Sequence, residues 1–553
     1  MFHGFYDQHK FLVITNILFL FLYPLQDILI PHFYGKIMDK VSTGEDFTHV
    51  IVLVISLLVF CQLMFMFADY HDSKLIPVME SYIRSYIMQH IIQRYETEHE
   101  ELEIGEIITK LIKIPSIIVR WFDRVKNYIL PYILVYVIAI CYFSTVDWLL
   151  AVSLLIVLLL LTLNIFISPK DCATVSMDRD KSFNEIHKQI DDVLTNLFSI
   201  YGGGQQHAEI ERLSRYAKQY THHYQNTMKC ALKHMVMMNP VIIAFIVFFV
   251  WRCQQLIVSK QMVISQFVTV FIIFLYILNS ILVLNDQLRD IIFEWGMIDA
   301  STDILFAKPE DKHVANTQDI RYRIPNTGIG VHNVTFSYPG HSVKILENFS
   351  LHIQPKEKVC LVGDIGSGKS TVIKLLLKYH VPAQGNLYWN GIDYHDIPVK
   401  QLRKHIGYVP QNPILFNRSI IDNVMYGNKK YTREQVEHIM KQFKVYDEFA
   451  RLDKGLDTVI GKNGSKLSGG QRQLVWCLRV LLYNPDVLIL DEPTAAIDDT
   501  IKQILQNMLH AIMRDKTVIM VTHDPYLENI ANRVVTMSKG TITKDVYKKP
   551  QKL

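Results

Sequence analysis

A chain of 553 residues is too long for one ordinary domain, and 50% hydrophobic residues with a positive mean hydropathy is high for a purely soluble protein. A formal net charge of +4 over this length gives no support to nucleic acid as a partner. The seven cysteines are odd in number and scattered without a CxxC pair, which argues against a zinc site or a disulfide framework and reads as reduced, mostly buried thiols.

The N-terminus, MFHGFYDQHK, lacks a basic segment ahead of a cleavable apolar core, so the first apolar run is expected to stay in the mature chain. Six apolar segments follow at 11–33, 50–68, 128–144, 148–167, 236–256 and 265–284, each near the ~20 residues that a bilayer needs. The unbroken Leu, Ile and Val between Leu149 and Ile167 argues for lipid rather than a soluble core, where a helix keeps one polar face. Short loops join the segments in pairs on one side. The connections on the other side, 69–127 and 168–235, are charged and carry apolar residues at helical spacing, so they should be helices running on into the cytosol. Lys36, Lys40, Arg252 and Lys260 fall on the outer side in this topology, which positive-inside counting supports only weakly.

In the sixth segment Thr269, Tyr276, Asn279 and Asp286 fall within roughly 100° of one another at 3.6 residues per turn, with Phe274 opposite. A polar stripe in hydrocarbon needs partners or water, so this face is expected to line a central cavity and to look toward Asp27 on the first segment.

Residues 306–327, containing AKPEDKH and IPNTG, read as a linker, and from Gly328 short β-like runs alternate with helices in an α/β pattern. There an apolar strand, Val359 to Val362, runs into Gly363, Asp364, Ile365, Gly366, Ser367, Gly368, Lys369 and Ser370, and a helical run begins at Thr371. This is GxxxxGK[ST] in its strand-to-helix setting, a phosphate-binding loop. Glycine lets backbone N–H groups close on phosphate oxygens, the helix N-terminus adds partial positive charge, Lys369 neutralises the outer phosphates, and Ser370 is placed to hold Mg²⁺. Further on, the run Val487 to Leu490 ends in Asp491, placed to reach the metal, and Glu492, placed to polarise an attacking water. Between them Leu467, Ser468, Gly469, Gly470 and Gln471 form a glycine-bearing turn ahead of an apolar helix, suited to a second face of phosphate.

With LSGGQ at 467–471 in place, the second half resembles the nucleotide-binding domain of ATP-binding cassette proteins, and the order of motifs is the family's. By that resemblance Tyr338 in FSYPG stacks on adenine, Gln411 in YVPQNPILF senses Mg²⁺ and the membrane domain, His523 in VTHD contacts the γ-phosphate, and Asp498 belongs to the SALD-like loop AAID. Exporters commonly place an acid where TVIGKNG has Lys462. Glu101 to Leu111, ELEIGEIITKL, looks like the exporter segment around a tGel motif.

The resemblance implies a multi-domain exporter half-transporter: an all-α six-helix transmembrane domain (1–305), a linker (306–327) and an α/β P-loop ATPase domain (328–553). It implies ATP and Mg²⁺ as cofactors. Two chains, most simply a homodimer, would hold each ATP between the phosphate loop of one and LSGGQ of the other. The protein would be an integral multi-pass protein surrounded by membrane lipid, with its nucleotide domain in the cytosol. The transported substrate stays open among lipid, peptide, drug-like amphiphile and thiol conjugate, and so does the membrane of residence. Two other classes fit the same ATP motifs: an ATP-gated regulator or channel without active transport, and a soluble-type cassette ATPase acting on nucleic acid. The six apolar segments count against the second.

Overall fold

The computed structural model describes residues 2–95, 104–299, 328–495 and 497–548. The linker at 306–327, the first part of the ELEIGEIITKL segment and Ala496 lie outside them. Residues 1–94 with 101–308 form one compact unit, and the second is built on residues 309–553.

The first unit is helical: α1 (Gly4–Thr43), α2 (Thr48–Arg94), α3 (Leu111–Val146), α4 (Trp148–Asp171), α5 (Ala173–Thr195), α6 (Gln206–Val258) and α7 (Ile264–Trp295). All but α5 carry a window long and apolar enough to cross a membrane, and each expected segment falls within one of these six. Several run far past the apolar window; α2, at 47 residues, is about 70 Å long at 1.5 Å per residue. Its overhang buries Leu75, Met79, Ile83, Ile87 and Ile91, a stripe at four-residue spacing.

Several polar groups inside this unit are paired between helices. Lys126 sits in a π-helical turn of α3 (Val125–Ile129) and pairs with Asp72 of α2, whose second oxygen accepts from Asn16 Nδ2 of α1 at 3.0 Å. At the α3–α4 hairpin, Asp147 leaves helical geometry and accepts from the backbone N–H of Leu149 and Leu150. It also holds Arg252 of α6 at 2.6 Å, so one carboxylate both caps a helix and ties two hairpins together.

Two expectations are corrected. Cys172, at the joint between α4 and α5, forms a disulfide with Cys230 of α6, 58 residues away, so the seven thiols are not all reduced. The other five are free and all but Cys141 are buried, with burial pushing the thiols of Cys360 and Cys477 up to about 12. The stripe on α7 is also divided. Asn279 and Asp286 are exposed and Tyr276 half-buried, but Thr269 is buried, with its hydroxyl donating to Ser265 O at 3.2 Å. Thr269 packs on α1 where Gly35 has no side chain; a Cβ there would come within 1.9 Å of the Thr269 Oγ1. Asp27 is buried in a π-helical turn of α1 (Leu25–Leu29).

The second unit has two sheets. One is antiparallel in the order β2-β1-β4-β5, from β1 (Ile329–Phe336), β2 (Leu346–Ile353), β4 (Gln384–Trp389) and β5 (Ile392–Asp393). The other runs β10-β9-β3-β8-β7-β6, from β3 (Lys358–Gly363), β6 (Ile406–Val409), β7 (Val487–Asp491), β8 (Thr517–Val521), β9 (Arg533–Ser538) and β10 (Thr541–Tyr547), parallel except for the terminal β9–β10 pair. Its central strands are apolar on both faces, as a covered parallel sheet requires. Along β7, Val487 and Ile489 enter one core with α8 (Lys369–Leu376), while Leu488 and Leu490 enter the other with α9 (Arg433–Gln442) and α10 (Gly469–Tyr483).

The division of the α7 stripe gives a labelling order. In a background without native cysteines, Asn279→Cys should react with a charged thiol reagent, while Thr269→Cys and Phe274→Cys stay slow. Labelling at 269 as fast as at 279 would show that the contact with Gly35 does not persist.

Candidate functional site

Parallel register brings four loops to one edge of the large sheet. Leu361 of β3 and Asp491 of β7 both lie opposite Val521 of β8, and Val409 of β6 lies opposite Leu490. The residues that follow these strands therefore emerge together: the phosphate loop from Gly363, Asp491 and Glu492, Thr522 and His523, and Pro410 and Gln411. The carboxyl edge of such a sheet is where α/β folds receive ligands.

The phosphate loop is held from below and open above. A Cβ on Gly363 would meet the Met537 carbonyl oxygen at 2.2 Å, so only glycine lets the loop pass β9 this closely. Ser367 is buried, Ile365 at the tip is fully exposed, and Gly366, at φ 81°, has open space where a side chain would be. Lys369 Nζ folds back over the loop, donating to the carbonyls of Gly363 at 2.7 Å and Asp364 at 2.9 Å and reaching Ser367 Oγ at 3.4 Å. Asp364 and Ser370 are exposed, and Gly368 leads into α8. Thr371 is buried and its hydroxyl meets the Tyr338 hydroxyl at 3.2 Å, which ties the aromatic ring to the first turn of α8. Phe336 and His380 meet that ring edge-on, and the Lys374 ammonium lies 5.5 Å from its centre.

Asp491 ends β7 half-buried. Burial first, then the adjacent Glu492 carboxylate, hold its carboxyl above the ordinary range, and the Tyr408 hydroxyl donates to it at 3.5 Å. A carboxylate that ionises reluctantly when alone gains most from a nearby cation, so Asp491 and Ser370 suit a divalent metal with phosphate ligands. At Glu492 the backbone turns left-handed, φ 46°, with its N–H bonded to the Val521 carbonyl at 2.8 Å. That turn leaves the Glu492 carboxylate 3.6 Å from His523 Nε2. A carboxylate beside an exposed imidazole at the mouth of a phosphate loop can take a proton from water and steady the charge that results. Gln411 is exposed just past β6.

The LSGGQ turn is self-satisfied. Ser468 Oγ accepts from the Gln471 N–H and Gln471 Oε1 from the Ser468 N–H, both at 3.1 Å, forming a capping box at the start of α10. Ser468 and Gly469 face solvent; Gly470 is buried, where a Cβ would press on Ile501 Cγ2 at 2.9 Å. Asp498 caps the helix α11 (Asp499–Ile512) by accepting from the Ile501 N–H at 3.0 Å, and Lys462 is exposed. The structure thus gathers the phosphate loop, Asp491, Glu492, His523 and Gln411 at one sheet edge. Ser468 to Gln471 begin a helix on the opposite face from α8.

Sequence reasoning missed Asp524. It is buried, accepts from Thr494 Oγ1 at 2.9 Å and Gln506 Nε2 at 3.1 Å, and caps the short helix α12 (Pro525–Ile530) through the Tyr526 N–H, so it anchors the loop that presents His523. An Asp before Pro is a helix-start signal that could have shown it. The first unit holds a separate cavity of about 350 Å³ lined by both signs of charge. Within it Glu294 holds Arg124 at 2.5 Å and Arg120 at 2.9 Å, and Asp180 holds Lys113 at 3.1 Å.

Fold and site together define a membrane-spanning protein with a P-loop ATPase unit. Comparison with known proteins agrees. The family model for the ABC transporter transmembrane region matches residues 12–281, and that for the ABC transporter matches 346–495. An ATP-dependent lipid A-core flippase of Pseudoalteromonas translucida is 26% identical over 467 residues, 83% of this chain and 79% of that protein. One from Chromobacterium violaceum is 39% identical over 209 residues, but the match spans only 38% of this chain and 36% of that protein. A solved bacterial Atm1-family ABC exporter with ATP bound has the same fold, with a TM-score of 0.86 at 20% identity over 97% of this chain and 95% of that one. The chain belongs to the ABC transporter family, with the membrane region and the ATPase unit in one polypeptide.

Glu492→Gln should retain ATP binding and slow turnover by ~10² or more, the usual contribution of a positioned general base. Lys369→Ala should instead weaken ATP binding. Steady-state ATPase assays paired with nucleotide-binding titrations distinguish the two, and turnover within about threefold of wild type for Glu492→Gln removes that residue from the role.

Proposed function

We propose that this chain is a half-transporter whose dimer, most simply a homodimer, exports a substrate across its membrane with ATP hydrolysis as the driving reaction. The observation that carries the dimer is the placement of α8 and α10 on opposite faces of one sheet. A chain with a single cassette cannot fold its own Ser468 turn over its own phosphate loop, so a second copy must supply it. In this reading Tyr338 stacks on adenine, the loop from Gly363 to Thr371 holds the phosphates, and Ser468 to Gln471 of the other chain close over them. Asp498 belongs to the same interface. Glu492 takes the proton of the attacking water, and His523 stabilises the charge on the outer phosphate. Mg²⁺, when bound, neutralises the outer phosphates, with Ser370, Asp491 and Gln411 as its protein donors. Closing and reopening of the nucleotide units would drive the membrane helices.

The nucleotide unit would face the cytosol or another ATP-containing compartment. Two of the relatives described above are named lipid A-core flippases. Lipid-class amphiphiles are therefore the first substrates to test, by their stimulation of ATPase activity in liposomes.

The dimer has its own test. Ser367 is only 3% exposed and Ile365 is 103% exposed, so the cysteine on the phosphate loop belongs at Ile365. Differently tagged Ile365→Cys and Ser468→Cys chains, co-expressed without native cysteines, should cross-link to each other, and more so with ATP trapped by Glu492→Gln. Cross-links confined to single chains, or none at all, would sink the composite site.

A further inference from the structure

Where α4 ends and α6 approaches its membrane window, four potential ligands converge. Asp171 closes α4, Cys172 forms the joint with α5, and Cys230 and His234 stand one helical turn apart on α6. One ligand atom from each lies within 4.8 Å of all the others. None of them belongs to the nucleotide site, and none is accounted for by ATP chemistry.

The imidazole carries the independent observation. Asn164 Nδ2 donates to the His234 carbonyl at 3.1 Å, which sets the amide so that Asn164 Oδ1 accepts from His234 Nδ1–H, also at 3.1 Å. In the neutral ring that leaves Nε2 with its lone pair, 2.8 Å from Asp171 Oδ2. That contact is closed by a proton, as an imidazolium–carboxylate pair, or by a cation held between the two atoms; the Lys233 ammonium lies 3.7 Å from the same oxygen on a side chain that is 64% exposed. An imidazole oriented through its other nitrogen by a neighbouring amide is the usual support of a metal-binding histidine. His234 and Cys172 are buried, and Ala231 and Ile292 pack beside them to keep water off the sulfurs.

We propose that, with its thiols reduced, this cluster binds one Zn²⁺-class cation through Cys172 Sγ, Cys230 Sγ, His234 Nε2 and Asp171 Oδ2, with Asn164 as a positioning residue. Two thiolates, one imidazole and one carboxylate match the tetrahedral preference of zinc and are too soft for Mg²⁺ or Ca²⁺. The disulfide is the competing state. Two equivalents of a small thiol reduce it, giving the two protein thiols and the small thiol's own disulfide; the cation then displaces both thiol protons. The site lies on the side of the long connections. On the reading above that side is the cytosol, where thiol reductants keep cysteines reduced. Bound metal or disulfide would each clip the α4–α5 joint to α6.

The test uses the full chain in detergent, with Zn²⁺ and then Co²⁺ as probes. Thiol-reduced protein should take up one Zn²⁺ per chain, and Co²⁺ in its place should show thiolate charge-transfer bands. The disulfide form of the same protein should take up none, a comparison that needs no substitution. Cys172→Ser with Cys230→Ser should abolish uptake. Asn164→Ala keeps every ligand and should weaken binding ~10- to 100-fold, with the thiolate bands retained at saturation. The proposal is overturned if reduced wild type holds no more Zn²⁺ than the double serine variant, or if Co²⁺ binds without thiolate bands. Equal uptake by the disulfide form overturns it too. ATPase activity is not read, so failure here leaves the export reading standing.

Discussion

Parallel strands in register impose the constraint on which the nucleotide unit depends. Each strand has one carboxyl end, and with β3, β8, β7 and β6 side by side all four ends share an edge. Residues far apart in the chain, Gly363, Gln411, Glu492 and His523, meet there because the strands that precede them are in register. The same alternation that covers both faces of the sheet assigns α8 to one core and α10 to the other. One geometric rule thus gathers the phosphate loop, Gln411, Glu492 and His523 at one edge and sets the Ser468 helix in the other core.

The membrane unit obeys a different constraint. Charge away from water is costly, and several of its ionic groups come in sets that cross between helices: Lys126 with Asp72 and Asn16, Arg124 and Arg120 with Glu294, Asp147 with Arg252. Removing one member of a buried pair typically costs about 3–5 kcal/mol, because its partner is left uncompensated. Such sets select which helices may lie side by side, a specificity that interchangeable apolar surfaces do not supply.

Much of this could be read from the chain because the signals are local. A phosphate loop occupies a dozen consecutive residues, and a membrane window is a property of composition. The alternation of strands and helices after Gly328 and the six windows follow from patterns of the same kind; the division into two sheets does not. What could not be read depends on distant residues. Cys172 and Cys230 are separated by 58 residues, and no spacing rule joins them. Thr269 looked like one more polar residue on a helical stripe until Gly35 of α1 proved to be its neighbour. Asp524 was passed over for the opposite reason: it stands beside His523, whose motif drew the attention, and its ties to Thr494 and Gln506 lie in other segments. Periodicity says which way a side chain points along its own helix, but not what has been packed against it.

Lys369 bears on how a reaction cycle ends. Its ammonium donates to the Gly363 and Asp364 carbonyls, so any anion that recruits it competes with both. A free phosphate ion must displace both contacts with little else to hold it, whereas a nucleotide also brings a base, a sugar and a chain of phosphates that share the cost. Once the terminal phosphate has been cut loose, the carbonyls can reclaim the ammonium, and the loop becomes its own competitor for the product it has made.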